Sequence, residues 1–230
     1  SMGKTALALN IAMNVVKTGA SVALFSLEMS KEQYVQRIIS MESMVDSTKL
    51  RTGSLDDDDW TRLINTMSLI SNYNVYIDDT PSVSLFEMMS KCRRLKIEKG
   101  LDLIVVDYLQ LMSDGGRTDN RQQEISNISR GLKALARELD CPVMALSQLS
   151  RAPEQRNDHR PIMSDLRESG AIEQDADVVM MLYRDEYYYK EESEKKGITD
   201  VIITKQRNGP VGTVELAWIG QYTKFGNIQK

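Results

Sequence analysis

The sequence contains no apolar run approaching the roughly 18 to 20 residues that a bilayer-spanning helix requires. Its start also lacks the succession of charge, apolar stretch and small residues that marks a secretory leader. Both absences point to a soluble, cytoplasmic protein with no membrane partner. Cysteine is scarce: Cys92 and Cys141 lie far apart without metal-site spacing and read as free, buried thiols. Positive charge is not in excess, since 29 Lys and Arg face 33 Asp and Glu for a net charge of -4. That balance excludes a protein that coats nucleic acid through a strongly basic surface, so any such contact must be local. Phenylalanine is rare, with 3 residues against 13 methionines, a bias towards flexible core filler that carries no functional reading. No internal repeat, low-complexity tract or linker interrupts the chain. Its 230 residues, 41% hydrophobic and 27% charged, suit one domain with a full core.

Strand and helix patterns alternate. Leu7, Ala8, Ile11, Ala12, Val15 and Val16 recur at helical spacing directly after Lys4, and Gly19 reads as the stop. Val22 to Leu27 has the length of a buried strand and ends at Glu28, and Ser30 with Gln33 frames a capping box for the next helix. The run Asp56 to Asp59 suits a helix start, where the macrodipole favours anions; a metal site is the sharper alternative. Val75 to Ile77 is a short strand, and Ser84 with Glu87 opens a helix that Gly100 closes. Leu103 to Val106 is a buried strand ending in Asp107, an amphipathic helix runs from Ile125 to Leu139, and Val143 to Ser147 is the next strand. Leu149 to Ile172 shows little periodicity. Val178 to Leu182, Val201 to Thr204, Thr213 to Ile219 and Tyr222 to Ile228 are closely spaced strands, with Asn208-Gly209 and Gly220 as turn signals. The pattern predicts an α/β fold with a mostly parallel sheet flanked by helices and antiparallel strands added at one edge.

Gly3-Lys4-Thr5 before a helix matches the last three positions of G-x-x-x-x-G-K-[ST], a loop whose N–H groups and helix dipole hold phosphates. Lys4 would then reach the terminal phosphates of ATP and the Thr5 hydroxyl would bind Mg2+. The first glycine of that pattern would fall before Ser1. Asp107, delivered by a buried strand to the carboxyl edge of the sheet, suits a magnesium-binding carboxylate, although strand-end aspartates also serve turns. Glu28 ends another strand in the same way and could orient or deprotonate an attacking water. Gln148, just past a third strand, could sense the terminal phosphate, and a surface polar role is its plain alternative.

Five blocks, Phe25 to Ser30, Val106 to Gln110, Ala145 to Ser150, Ser164 to Gly170 and Lys205 to Pro210, together resemble the bacterial DnaB replicative helicase family, in family order and across nearly the whole chain. The resemblance implies a RecA-like P-loop fold, a homo-hexameric ring, translocation on single-stranded DNA, and contacts with primase and a helicase loader. It implies that residues 1–230 form a single motor domain. By matched position, Gly3, Lys4 and Thr5 resemble the phosphate loop, Asp107 the magnesium carboxylate, Glu28 the catalytic glutamate and Gln148 the phosphate sensor. Arg207 resembles an arginine finger, with Lys205 beside it, both offered to ATP on the neighbouring subunit; a rigid guanidinium suits charge developing on the transferred phosphoryl group. Arg167, Glu168 and Gly170 resemble the channel loop that grips DNA. The four arginines between Arg151 and Gly170 are offset by Glu154, Asp158, Asp165 and Glu168, so this loop is no basic patch. It also lacks an aromatic residue for base stacking. His159, the only histidine, reads as an exposed loop side chain among polar neighbours.

The alternatives are a RecA-like recombination or repair ATPase, a RecA-fold ATPase without a nucleic-acid partner, and a non-enzymatic binding module. Fork unwinding without strand exchange separates the helicase from the first, and ATPase stimulation by single-stranded DNA separates it from the second. The family's N-terminal collar, linker helix and the start of the phosphate loop have no counterpart in residues 1–230. Residues 1–230 are therefore expected to assemble weakly or irregularly; size-exclusion chromatography showing a stable closed hexamer overturns that expectation.

Overall fold

The computed structural model describes residues 2–114, 120–166 and 170–228. Helix α1 (Lys4–Val16) leads to β1 (Val22–Ser26), followed by α2 (Lys31–Ser43), α3 (Ser47–Thr52) and α4 (Asp57–Ile70). Strand β2 (Val75–Asp78), α5 (Leu85–Lys99), β3 (Leu103–Asp107), α6 (Arg121–Glu138) and β4 (Val143–Ala145) complete the first half. The second half holds α7 (Gly170–Asp175), β5 (Val178–Tyr183), α8 (Asp185–Tyr189), β6 (Ile198–Gln206), β7 (Gly212–Ile219) and β8 (Lys224–Asn227).

Local chemistry accounts for the helix starts. The Ser30 and Gln33 capping box forms, with the Ser30 hydroxyl accepting from the Gln33 amide. Asp56 caps α4 in a reciprocal box with Asp59, while Lys49 and Arg62 pair with the buried Asp59 carboxylate. The aspartate run is thus a helix start with its own counter-ions. Among the described residues no group of three or more His, Cys, Asp or Glu is placed to hold a metal.

Strands β2, β1, β3 and β4 lie in that order, all parallel, and β1 and β3 are buried on both faces. Side chains alternate across a strand, so the two faces feed two cores. Ala23, Phe25, Ile104 and Val106 pack with Met88 and Cys92 of α5 and with Ile128, Leu132 and Leu135 of α6. Val22, Leu24, Leu103 and Val105 pack with Leu9, Met13 and Val16 of α1 and Tyr34, Ile38 and Met41 of α2. Met13, Met41 and Met88 are core filler, as their abundance suggests. Both cysteines are free and buried, and burial pushes the Cys92 thiol up to about 12 and the Cys141 thiol up to about 11, so both stay protonated at neutral pH.

The antiparallel strands form a sheet of their own, β5-β6-β7-β8. Strand β4 spans only three residues, and a cavity of about 710 Å³ is lined from its side by Met144 and Leu146, from β5 by Val178, Met180 and Leu182, and by Lys4. Helix α1 joins the two sheets. The Asn10 side chain accepts from the Phe225 amide (3.1 Å) and donates to the Ala6 carbonyl (2.7 Å) and the Thr223 carbonyl (3.3 Å), fastening β8 to the helix.

His159 departs from the expected exposed side chain. Its ring stacks on Tyr188 at 4.2 Å between centroids, and its Nδ1 lies 3.1 Å from the Pro153 carbonyl, which can only accept, so Nδ1 carries the proton. The tyrosine comes from α8, some thirty residues away, which polar sequence neighbours do not reveal. Among the described residues no helix is long and apolar enough to cross a membrane.

The two-faced core predicts a sharp contrast in urea denaturation. Leu135→Ala, at a fully buried position, is expected to lose about 2–5 kcal/mol, whereas Ile97→Ala, at a side chain 86% exposed, stays within about 0.5 kcal/mol of the parent.

Candidate functional site

The register of the parallel sheet builds the site. Ser26 pairs with Asp107 at the carboxyl ends of β1 and β3, and the Leu27 amide donates to the Asp107 carbonyl at 2.8 Å. The Leu146 amide donates to the Val106 carbonyl at 2.9 Å, drawing the end of β4 alongside. Glu28, Asp107 and Gln148 therefore follow three adjacent strands onto one edge, where ligands of open α/β sheets bind.

Helix α1 starts at the same edge. Gly3 sits at its N-cap with φ 95°, a left-handed conformation that favours glycine, and a Cβ there would also lie 3.2 Å from the Phe225 ring. Among the described residues no side chain caps the helix start, where first-turn amides suit an anion. The Lys4 ammonium donates to the Ser147 carbonyl at 3.1 Å. Burial lowers its pKa, opposed by the charges of Asp107 and Glu28. The Thr5 hydroxyl donates to Asp107 Oδ2 at 2.7 Å. Asp107 is only 3% exposed, and the peptide bond that follows it is cis.

Two residues escaped sequence reasoning. Tyr34 of α2 donates its hydroxyl to the same Asp107 Oδ2, and burial followed by the Asp107 charge raises its pKa. It reads in sequence as one apolar position among Ile38 and Met41. Gln110 holds the Gln148 backbone from both sides: its Nε2 donates to the Ser147 hydroxyl (2.9 Å) and the Gln148 carbonyl (3.3 Å), and its Oε1 accepts from the Gln148 amide (3.3 Å). Its place in the block with Asp107 was the available signal. Glu28 and Gln148 are both exposed.

Lys4, Thr5 and Asp107 offer a hydroxyl and one carboxylate beside a cation and a helix start. Such hard oxygen donors, too few to enclose a metal, fit Mg2+ completed by phosphate oxygens and water.

Lys205 and Arg207 are placed elsewhere. Lys205 donates to the Glu173 and Gln174 carbonyls, and Arg207 Nη2 donates to the Gln174 carbonyl at 2.7 Å, so both meet the last carbonyls of α7, where cations are favoured. Arg207 lies with Arg130, Lys133 and Arg137 of α6 around a surface cleft of about 260 Å³ that also includes Asp175. The spacing of these three basic residues on one helix face was legible but not singled out. Asp177 takes Lys133 and, at 3.4 Å, Arg207, and the Lys133 ammonium holds its carboxyl below the usual range.

Arg167 and Glu168 lie outside the described residues, and Gly170 opens α7, exposed. Of the other arginines in that segment, Arg156 pairs with the buried Asp165, and Arg160 pairs with the buried Asp200 at 2.8 Å. These two serve the fold.

Residues 1–227 match the family model described as DnaB-like helicase C terminal domain. The chain is 60% identical to the replicative DNA helicase DnaB of Geobacillus stearothermophilus and 59% identical to the replicative DNA helicase DnaC of Bacillus subtilis (strain 168). In each case all of this chain aligns with 51% of the relative, so the chain spans about half the length of these curated relatives. Among solved structures, an isolated ATPase domain superposes with a TM-score of 0.96 at 46% identity, covering 100% of this chain and 82% of that one. A DnaB-like replicative helicase, solved in a study of its interactions with primase, gives the same score and identity over 100% of this chain and 55% of that one. The RadB recombinase, at 18% identity and a TM-score of 0.57 over 99% of this chain and 86% of that one, shares the fold alone. The fold is RecA-like, and the chain belongs to the DnaB-like helicase C terminal domain family.

Proposed function

We propose that this chain is the single motor domain of a replicative DNA helicase that hydrolyses ATP between ring subunits to move along single-stranded DNA and unwind duplex at a fork. One observation carries the reading: Thr5 meets Asp107 at the carboxyl edge of the parallel sheet, where Lys4 reaches the end of β4 and Glu28 follows β1, beside the start of α1. The high identity to helicases over the whole chain favours DNA as the track.

The first-turn amides of α1 and the Lys4 ammonium bind the phosphates. Thr5 and Asp107 would hold Mg2+, which supplies charge neutralisation at the terminal phosphates when bound. Glu28 orients the attacking water and accepts its proton. Arg207, with Lys205, reaches the nucleotide on the neighbouring copy and neutralises charge on the phosphoryl group as it transfers. Gln148 senses the terminal phosphate, and its link to Gln110 offers a route from that phosphate back to the Asp107 strand. Arg167, Glu168 and Gly170 grip the DNA backbone, positioning the strand without reading sequence. The proposed assembly is a cytoplasmic homo-hexamer. Primase contact is supported by the solved relative studied with primase; a helicase loader follows from the family resemblance.

ATPase stimulated by single-stranded DNA, together with fork unwinding, tests the reading in the full-length protein. Glu28→Gln is expected to slow hydrolysis by about 10²–10⁴-fold; stimulation and unwinding both absent from the parent protein overturn the function. Gly3→Ala, strained at φ 95° and pressed against Phe225, is expected to weaken ADP binding in a fluorescence titration; unchanged affinity counts against a phosphate role for this helix start. Rings mixed from Glu28→Gln and Arg207→Ala chains are expected to recover part of the ATPase rate, because some interfaces regain both native residues. No recovery in stably mixed rings overturns the shared site.

A further inference from the structure

We propose that Tyr34 is a positioning residue for the magnesium carboxylate: its hydroxyl and that of Thr5 together clamp one oxygen of Asp107 and keep the other open to the metal. This inference rests on the nucleotide-binding reading above. Tyr34 is 2% exposed, and a buried hydroxyl requires a partner. Its ring already packs with Leu24, Ile38 and Met41, so an apolar side chain would satisfy the same space. The hydroxyl is what such a residue would lack, and it goes to Asp107.

Thr5 and Tyr34 both donate to Oδ2, and among the described residues Oδ1 accepts no hydrogen bond. The terminal torsion of an aspartate is broad and roughly two-fold. Two donors converging on one oxygen remove that freedom. The Thr5 hydroxyl has a single proton, and directing it to Asp107 leaves its lone pairs for a cation. Thr5 therefore has a second duty, whereas the Tyr34 hydroxyl gives its one proton to the carboxylate.

Tyr34 also reaches back to the Glu28 segment. It lies in the first turn of α2, whose cap Ser30 follows Glu28 and Met29, and the Ser26 hydroxyl donates to the Met29 carbonyl at 2.5 Å. The stretch from β1 to α2 is thus tied at both ends, to itself by Ser26 and to Asp107 by Tyr34. The Tyr34 hydroxyl thus links the metal carboxylate to the segment that carries Glu28.

The test uses Tyr34→Phe in the full-length protein, with Mn2+ as the probe, counted by electron paramagnetic resonance in the presence of ADP. The Mn2+ dissociation constant is expected to rise about tenfold, equivalent to about 1.4 kcal/mol. ADP binding in EDTA is expected to change by less than about twofold, since Lys4 and the helix start hold the phosphates without the carboxylate. Tyr34→Leu, which keeps an apolar filler and removes the ring, must show the same Mn2+ loss. Unchanged or tighter Mn2+ binding overturns the proposal. So does equal weakening of Mn2+ and metal-free ADP, the result of a merely structural role. Wild-type protein that binds no Mn2+ with ADP brings down the nucleotide reading and this inference together. Normal wild-type binding with an unchanged Tyr34→Phe affinity brings down this inference alone.

Discussion

A carboxylate buried in a protein core needs hydrogen-bond donors, and Asp107 finds two of them, both on Oδ2. Its two hydroxyl donors come from α1 and α2, and its own strand lies between two cores. Strand β3 cannot shift without disturbing side chains on both faces, so the carboxylate is held at a fixed depth. The neighbouring residues inherit that position. The Asp107 carbonyl takes the Leu27 amide, setting where β1 ends and where Glu28 emerges. Core packing thereby becomes the geometry of a charged site.

Helix α1 belongs to both halves of the molecule. Its apolar face fills the core beneath the parallel sheet, and Asn10 fastens it to β8 of the antiparallel sheet. At its start, the Phe225 ring stands against Gly3, with Trp218 stacked obliquely on that ring at 4.7 Å between centroids. The end of α1 proposed to bind phosphate is thus braced by strands that follow it by more than two hundred residues. Between β4 and β5, by contrast, the cavity leaves the two sheets without a shared ladder. The sheets meet through the helix more than through each other.

Much of this was legible because burial and periodicity leave marks along a chain. The fully apolar runs Val22 to Phe25 and Leu103 to Val106 are the strands covered on both faces, and the charged or polar residue ending each one lies at the sheet edge. Capping residues at Ser30 and Asp56 marked helix starts because their bonds are local, within three residues. Contacts between distant segments left no such mark. Tyr34 occupies a helical core position at the same spacing as Ile38 and Met41, and periodicity cannot report that its hydroxyl crosses to a carboxylate 73 residues on. Arg156 and Arg160 looked equivalent to any loop arginine until Asp165 and Asp200 met them. The three short helices and turns of the aperiodic stretch were missed because segments of three to six residues hold less than two helical turns of pattern.

The proposed role of Lys205 and Arg207 at a neighbouring nucleotide poses an energetic question, because both already have partners. Their donors go to carbonyls at the end of α7, and Arg207 also approaches Asp177. Those partners are exposed, so water replaces them at little cost when a side chain leaves. A guanidinium also carries five donors, and Arg207 can turn some of them outward without abandoning the helix. Arg130, Lys133 and Arg137 add positive charge beside it, only partly offset by Asp175 and Asp177. That surplus favours an approaching polyphosphate over the weak internal bonds. The same contacts tie β6 to α7, whose first residue, Gly170, belongs to the segment proposed to grip DNA. A phosphate that drew the Arg207 guanidinium outward would free the Gln174 carbonyl, while Lys205 and the bond from Ser129 to Asp175 keep the end of α7 in place.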